Sequence, residues 1–290
     1  MKKKIGIVGA AGKMGKWFSG YFATRGDNLV YVYDTRKEYG ISITGVIHCN
    51  TLKQCVIEAD YVLICVPNDE TSMVIKKVAA WMKKGSALLE ISSIKNDVIK
   101  SLIKVPKSLI PISIHPMFGP GSRELSNSKI LFIPVRSKKQ EEQKLRSILG
   151  DAKILVVNGV GFHDRLMALI LGLIFFVNLV IASVISKENS AQLKKYSGTS
   201  YALQSILFHS ILLDDVSLIS SILLKNAKLK PYLKDFVNDC NSLFETIHSE
   251  DHAKLETVVK RLKRHYCKEN EIERSYAKLY SLFQKAYSRE

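Results

Sequence analysis

Short apolar runs alternate with amphipathic stretches through the first half of the chain. The runs are rich in β-branched residues and predict buried strands at residues 5–8, 29–33, 61–66, 86–91, 109–114, 130–135 and 153–157. Helical periodicity separates several of them, at residues 13–25, 51–59 and 70–83. Strands that alternate with helices predict an α/β fold with a parallel, doubly wound sheet, whose ligands bind at the carboxyl ends of the strands.

The pattern changes near residue 159, after which only helices are predicted. Residues 166–185 are almost unbroken in apolar side chains and are long enough to span a bilayer. The run contains Gly172, Asn178 and Ser183, and a helix that is apolar on all sides also occurs in cores and subunit interfaces. We therefore predict an α/β domain over residues 1–158, an all-α domain over residues 159–290, and no membrane partner.

The first predicted strand runs into a glycine-rich turn. Gly9, Gly12 and Gly15 are evenly spaced, a helix follows them, and a second strand ends in Asp34. Glycine lets the backbone approach a pyrophosphate, which then sits on the N–H groups of the helix start. A carboxylate at the end of the second strand accepts hydrogen bonds from the ribose hydroxyls. The order strand, glycines, helix, strand, acid predicts a Rossmann-type dinucleotide-binding domain.

Two side chains after the second strand bear on the choice of dinucleotide. Asp34 would repel a 2′-phosphate, whereas Arg36 would attract one. We predict NAD as the cofactor, with NADP as the alternative. The residues predicted to contact it are Gly9, Ala11, Gly12, Lys13, Met14, Gly15, Asp34, Arg36, Val66, Pro67 and Ser92.

Charge and cysteine content narrow the function classes. The chain has 43 Lys and Arg against 27 Asp and Glu, a net charge of +16 that suits an anionic cofactor and a small anionic substrate. No nucleic-acid recognition motif accompanies this charge, so we expect no nucleic-acid partner.

The five cysteines show no Cys-x-x-Cys spacing. This pattern predicts reduced thiols in a cytoplasmic protein, with no metal site and no disulfide framework.

Two loops at the predicted ligand edge carry candidate catalytic groups. Ser92 and Ser93 follow the strand at residues 86–91, and His115 begins the run His-Pro-Met-Phe-Gly-Pro. A histidine beside a nicotinamide ring can accept the proton of an alcohol while hydride leaves, because its pKa lies near the working pH. We predict His115 and Ser93 as catalytic residues. The alternative is that they are ordinary loop residues, since serines are common in turns.

Together these motifs resemble those of the prephenate and arogenate dehydrogenases, the NAD(P)-dependent enzymes of tyrosine biosynthesis. The resemblance covers nearly the whole chain and is carried by residues 5–15, 91–95, 115–120, 163–164 and 167–168. It implies a homodimer built on the helical half, in which residues 166–185 form a buried interface helix.

The resemblance also implies a reaction, the oxidative decarboxylation of prephenate to 4-hydroxyphenylpyruvate. In it His115 accepts the hydrogen bond of the ring hydroxyl as hydride passes to the cofactor, and Ser93 assists His115. Carbon dioxide is then lost and the ring becomes aromatic. The residues implied on the substrate side are His163, Asp164, Tyr201 and His209.

The helical half departs from the family pattern at three positions. Phe175 stands where the family carries a histidine, and Ala202 and Ser210 stand where it carries arginines that clamp a substrate carboxylate. Replacing a buried guanidinium by a neutral group should cost roughly 2–5 kcal/mol of binding. Three hypotheses remain open. The protein is a prephenate dehydrogenase with relocated carboxylate contacts, a relative acting on another hydroxylated cyclic acid, or a nucleotide-binding regulatory dimer with little turnover.

Overall fold

A computed structural model describes residues 2–36, 43–126, 128–267 and 274–287 of the chain. The chain forms two compact units. The first comprises Met1–Met167 together with Ser220–Asn226, and the second comprises Ala168–Ile219 together with Ala227–Glu290.

The first unit is built on an eight-stranded sheet with the order β3-β2-β1-β4-β5-β6-β7-β8. Its strands are β1 (Lys3–Val8), β2 (Asn28–Tyr33), β3 (Val46–His48), β4 (Tyr61–Ile64), β5 (Ala87–Glu90), β6 (Ile110–Pro116), β7 (Lys129–Ile133) and β8 (Lys153–Val156). Every residue of β4, β5 and β6 is buried. Because successive side chains of a strand point to opposite faces, both faces of the central sheet are covered.

Helices connect the strands of this unit. They are α1 (Lys13–Ala23), α2 (Leu52–Val56), α3 (Asn68–Ala79), α4 (Asn96–Ile103) and α5 (Lys138–Leu149), and α6 (Val160–Met167) follows the last strand. Phe18 and Phe22 of α1 are almost fully buried in the main hydrophobic core together with β1 residues Ile5 and Ile7. The predicted α/β architecture with a Rossmann-type sheet is confirmed.

Two features of the sheet differ from the sequence prediction. Strand β3 was not predicted, because its three residues are partly or fully exposed and carry no buried apolar pattern. Strands β6 and β7 pair antiparallel, whereas the other pairs among the described strands are parallel. The described residues between β6 and β7 form no helix, so the chain returns directly alongside β6 in the opposite direction. The carboxyl ends of β1, β4, β5 and β6 nevertheless share one edge, as predicted.

Within the described residues, helices are the regular elements of the second unit, and short turns connect them. It contains a π-helical segment (Ala168–Leu173), α7 (Ile174–Ile185), α8 (Ser190–Tyr196), α9 (Thr199–Leu212), α11 (Leu229–His248), α12 (His252–Tyr266) and α13 (Ser275–Tyr287), while α10 (Val216–Lys225) divides between the two units. Asn178 of α7 is buried and accepts a hydrogen bond from the Gln204 amide at 2.6 Å, which ties α7 to α9. The predicted boundary at residue 158 lies between β8 and α6, and the compact units divide later, after Met167.

One continuous apolar helix, Val160–Ile185, is long and apolar enough to cross a membrane by length and composition. Among the described residues, α9 and α10 pass the same test only as a pair bent by 96°. Only 22% of the apolar window of the first helix is buried. Large apolar side chains that are at least 40% exposed along this helix are Phe162, Ile170, Ile174, Val180 and Val184. The exposure is larger than that of a core helix and leaves an apolar face at the surface of the chain.

Candidate active site

The turn after β1 leaves no room for a side chain at two of its glycines, Gly9 and Gly15. Gly9 has a φ of +85°, and a Cβ there would lie 2.6 Å from the carbonyl oxygen of Cys65. A Cβ on Gly15 would overlap the carbonyl oxygen of Gly9. Gly12 is the N-cap of α1, and this helix end has neither a side-chain cap nor an acidic residue in its first turn. The partial positive charge of the helix terminus and the bare backbone together suit an anion such as a pyrophosphate.

Asp34 follows β2 and reaches the glycine turn. Its Oδ2 accepts a hydrogen bond from the backbone N–H of Ala11 at 2.9 Å, and its Oδ1 accepts one from Nε of Arg36 at 3.1 Å. Burial disfavours ionisation of this carboxyl, but hydrogen bonds from Arg36 and from the Ala11 N–H outweigh it and lower the pKa of Asp34. An ionised carboxylate therefore lies beside the turn, with the predicted phosphate-attracting Arg36 paired to it.

The other residues predicted to contact the cofactor lie around the same edge. Lys13 is exposed at the start of α1, and Met14 is half-buried against the core. Val66 follows β4, and its Cγ1 would lie 3.0 Å from a Cβ on Gly9. Pro67 is the exposed N-cap of α3. Strand order thus brings the loops after β1, β2 and β4 together.

The two serines after β5 are held by α3. The hydroxyl of Ser92 is buried and donates to Oγ1 of Thr71 at 3.2 Å. The backbone N–H of Ser93 donates to Oδ1 of Asn68 at 3.3 Å. Ser93 is half-buried. In the described part of the chain, no hydrogen bond joins its hydroxyl to His115.

A fully buried ion pair ties β5 to β6. Nζ of Lys95 lies 2.7 Å from Oε1 of Glu90, and both side chains are 0% exposed. The same Nζ donates to the carbonyl oxygen of Ile114 at 2.6 Å, and Glu90 also accepts a hydrogen bond from the hydroxyl of Ser113. Burial lowers the pKa of Lys95, and the charge of Glu90 acts against that shift. The pair anchors the strand one residue before His115.

His115 is one end of a hydrogen-bonded chain of three buried side chains. Its Nδ1 lies 3.2 Å from Nε2 of His163, and Nδ1 of His163 lies 2.8 Å from Oδ1 of Asp164. Oδ1 of Asp164 also accepts a hydrogen bond from the backbone N–H of Lys95 at 3.3 Å. The Asn226 amide donates to the carbonyl oxygen of Asp164 at 2.7 Å. Asp164 is therefore held at its carboxylate by the Lys95 N–H and at its backbone carbonyl by Asn226.

This chain of hydrogen bonds assigns the tautomers of both imidazoles. An ionised carboxylate only accepts, so Nδ1 of His163 carries a proton and its Nε2 presents a lone pair. That lone pair accepts from Nδ1–H of His115, which leaves Nε2 of His115 as an acceptor. In the part of the chain that the structure describes, Nε2 of His115 has no hydrogen-bond partner.

The surroundings of His115 keep its imidazole neutral. Burial lowers its pKa well below the usual histidine range, and the charge of Lys95 acts in the same direction. A neutral, oriented imidazole at the carboxyl edge of the sheet can accept a hydrogen bond, and then a proton, from a hydroxyl group.

The remaining predicted substrate residues belong to the second unit. Tyr201, near the start of α9, lines a cavity of ≈ 360 Å³ formed with α8. His209 is exposed on α9, and its ring packs edge-on against Phe208. Of the family departures, Phe175 and Ala202 are buried and Ser210 is exposed.

Three residues of the first unit were missed as site residues by sequence reasoning. Glu90 had a usable signal, since it is the one acid within an otherwise apolar strand pattern. Lys95 belongs to the family motif at residues 91–95, but the motif alone predicted no role for it. Asn226 had no signal, because its partner Asp164 is remote in sequence.

Comparison with known proteins identifies the family. Two family models match the chain, one described as prephenate dehydrogenase, nucleotide-binding domain, over residues 21–152, and one as prephenate dehydrogenase, dimerization domain, over residues 161–261. The glycine turn precedes the first matched range. The predicted family resemblance and the presence of a nucleotide-binding domain are confirmed.

Curated relatives agree with these matches. A probable arogenate/prephenate dehydrogenase of Methanocaldococcus jannaschii is 26% identical over 276 residues, which are 90% of this chain and 60% of the relative. The T-protein of Haemophilus influenzae is 25% identical over 248 residues, 83% of this chain and 62% of that protein. The chain thus spans about three fifths of the length of the curated relatives it matches.

Solved structures share the fold. Prephenate dehydrogenase from A. aeolicus, in complex with hydroxyphenyl propionate and NAD+, superposes with a TM-score of 0.73 at 18% identity, covering 92% of this chain and 98% of that chain. Synechocystis arogenate dehydrogenase gives a TM-score of 0.67 at 17% identity, covering 91% and 99%. With matches to both family models over most of its length, this chain belongs to the prephenate/arogenate dehydrogenase family.

Proposed function

We propose that this protein is an NAD-dependent dehydrogenase that oxidises prephenate, with loss of carbon dioxide, to 4-hydroxyphenylpyruvate. The observation that carries the proposal is the hydrogen-bonded chain from Asp164 through His163 to His115, which leaves Nε2 of His115 as an unpaired acceptor among the described residues. An acceptor of this kind is what the oxidation of a ring hydroxyl requires.

The first unit has the features that NAD needs. Side chains at Gly9 and Gly15 would collide with backbone atoms, so these positions leave the pyrophosphate a bare backbone to approach. The ionised Asp34 would accept hydrogen bonds from the adenosine ribose and would repel the 2′-phosphate of NADP. The A. aeolicus relative is in complex with NAD+. When bound, the nicotinamide supplies the hydride acceptor.

In the proposed reaction each residue has a separate role. Nε2 of His115 accepts the hydrogen bond of the substrate hydroxyl and takes its proton as the C–H bond transfers hydride. His163 keeps Nδ1 of His115 occupied as a donor, and Asp164 in turn orients His163. The electrons released by decarboxylation complete the aromatic ring. Ser93 is proposed to orient the hydroxyl, and Tyr201 and His209 to contact the substrate.

A second candidate is a dehydrogenase for another hydroxylated cyclic acid. It is favoured by the neutral residues Phe175, Ala202 and Ser210 at positions where the family carries a histidine and two arginines. Ala202 is 4% exposed, and the hydroxyl of Ser210 donates to the carbonyl oxygen of Leu207 in its own helix. A substrate with fewer or differently placed carboxylates needs no guanidinium at these positions.

Kinetics on the purified protein test the proposal. NADH formation is measured with prephenate and with arogenate, each paired with NAD and with NADP. Turnover is expected with prephenate and NAD, with a lower kcat/KM for NADP. Saturable NAD binding without turnover on either acid would contradict the proposed reaction and leave the second candidate.

We also propose that the protein is a cytoplasmic homodimer joined through its second unit. The support is the apolar helix Val160–Ile185, of whose window only 22% is buried, together with the match to a dimerization domain. Val180 and Val184 are 45% and 60% exposed on this helix. A charge at either position would be buried unpaired in such an interface, at a cost of several kcal/mol.

Light scattering in detergent-free buffer is therefore expected to give twice the chain mass of 32.6 kDa. Val180→Glu should shift the protein to the monomer. The control is Ile47→Glu, at a residue that is 43% exposed on β3 in the first unit, which should leave the mass unchanged. A protein that stays in solution only with detergent would favour a membrane span instead.

A further inference from the structure

A short returning segment, Ser220–Asn226, belongs to the first unit although it lies far along the chain. Ser221 and Asn226 within it are each 2% exposed. The hydroxyl of Ser221 accepts a hydrogen bond from the amide of Asn68 at 2.7 Å, and Oδ1 of Asn68 accepts one from the backbone N–H of Ser93 at 3.3 Å. The segment is therefore fixed against the first unit independently of Asn226.

Asn226 directs its side chain at the backbone of Asp164. It directly follows the last residue of α10, and its amide donates to the carbonyl oxygen of Asp164 at 2.7 Å. Asparagine is common after a helix because it tolerates a positive φ, but among the described residues Glu250 is the one non-glycine residue with such a φ. The polar side chain, and not the backbone conformation, therefore explains an asparagine at this position.

The hydrogen bond from Asn226 acts where the helical repeat changes. Asp164 lies in the last turn of α6, and π-helical bonding begins at Ala168. Turns of π-helix are rare and occur frequently at functional sites. The carbonyl oxygen of Asp164 is bound by Asn226, and its Oδ1 is bound by the N–H of Lys95. Asp164 is thus fixed at its backbone as well as at its side chain.

The tautomers of the two buried imidazoles depend on this fixation. Both His163 and His115 carry their proton on Nδ1, whereas a free neutral histidine side chain favours the proton on Nε2. Each ring therefore keeps its less stable tautomer only while the acceptor beside Nδ1 stays in place. For His163 that acceptor is the carboxylate of Asp164, at 2.8 Å.

We propose that Asn226 is a positioning residue of the catalytic centre, which sets the tautomers of His163 and His115 through the backbone of Asp164. Without its amide, Asp164 is free to move away from Nδ1 of His163, and the proton of His163 redistributes to Nε2. That nitrogen then no longer accepts the Nδ1–H of His115. Nε2 of His115 becomes protonated in turn and cannot take the proton of a hydroxyl group. The effect on turnover rests on the proposed function, whereas the tautomers do not.

Nitrogen-15 NMR of protein with labelled histidine measures the tautomers directly. The two ring nitrogens of a neutral imidazole resonate far apart, and their signals exchange places when the proton moves. The chain has seven histidines, and the signals of His115 and His163 are identified by their loss in His115→Asn and His163→Gln. The unmodified protein is expected to carry both protons on Nδ1. A proton on Nε2 of His163 in the unmodified protein would overturn the proposal without any substitution at Asn226.

Asn226→Leu removes the amide and keeps most of the side-chain volume. We expect Nε2–H signals from His163 and His115 and a kcat about 10–100-fold lower. The KM for NAD should not change, because the hydrogen bond between Asp34 and the glycine turn does not involve this segment. Asn226→Ala is measured beside it, so that strain from the leucine does not decide the outcome.

Lys225→Met is the matched control. Lys225 directly precedes Asn226, and its ion pair with Asp69 is exposed. The control should leave the tautomers, kcat and the fold unchanged. Unchanged imidazole signals in folded Asn226→Leu and Asn226→Ala, or an equal fall of kcat in the control, would overturn the proposal.

The two readouts separate this proposal from the proposed function. If the tautomers respond to Asn226 as expected but the unmodified protein turns over neither prephenate nor arogenate, the proposed reaction is wrong and the positioning of the two imidazoles stands. If the unmodified protein turns over prephenate and the tautomers do not respond, the proposed function stands and the role of Asn226 is wrong.

Discussion

His115→Asn is expected to remove most turnover, with kcat about 10²–10⁴-fold lower and the dissociation constant of NAD unchanged. The asparagine amide fills part of the imidazole volume but has no group that takes a proton. The nucleotide affinity should not change, because the glycine turn and Asp34 lie on other loops and neither hydrogen-bonds to His115. Steady-state kinetics and an NAD titration on the same preparation measure both quantities.

The pH profile adds a second test of this assignment. Since the pKa of His115 is lowered, its neutral form persists below the usual histidine range, and activity that depends on it should persist as well. Activity should be lost only when the pH falls through the lowered pKa. The matched control is His248→Asn at an exposed position of α11. Equal turnover in His115→Asn and the control would remove His115 from the mechanism.

Lys95→Met is expected to cause the largest loss of stability of any single change considered. The methionine fills similar volume but leaves the carboxylate of Glu90 buried without its cation, at about 3–5 kcal/mol of unfolding free energy. Urea unfolding measures the loss. The double variant Lys95→Met with Glu90→Gln removes both charges and should recover part of it.

The pH dependence of this variant has a definite sign. A buried, unpaired carboxyl favours its protonated form, so the folded variant binds a proton more tightly than the unfolded chain does. The loss of unfolding free energy in Lys95→Met should therefore become smaller as the pH falls. Lys100→Met is the control, because its ion pair with Asp97 is mostly exposed and should contribute roughly 0–1 kcal/mol. A deficit for Lys95→Met no larger than that of the control would show that the pair does not support the fold.

Sequence reasoning predicted those strands of the sheet that form continuous apolar runs. Strands β4 and β5 are buried on both faces and stand out as continuous apolar stretches. Strand β3 is short and partly exposed, so nothing in its composition separates it from a loop. The direction of β7 was also not predictable. An apolar run indicates that a strand is buried, but it does not indicate which strand it pairs with or in which direction.

The site was predictable in its loops and not in its hydrogen bonds. Parallel strands place the loops after β1, β4, β5 and β6 at one edge, and this follows from the element order alone. The contacts of Lys95 with Ile114, and of His115 with His163, join residues that are distant along the chain. Periodicity and local motifs carry no information on such pairs. The sequence therefore named His115 but assigned its support to Ser93.

Asn226 has a consequence for how the chain matures during synthesis. The amide that holds the carbonyl oxygen of Asp164 lies beyond nearly all of the first helical stretch of the second unit, in the returning segment Ser220–Asn226. A ribosome completes the last strand of the sheet long before it makes this segment. The nascent nucleotide-binding half therefore emerges without the hydrogen bond from Asn226 to Asp164. This bond forms only when residue 226 has left the exit tunnel. A gene fragment cut after β8 encodes the sheet without Asn226 and so without this hydrogen bond.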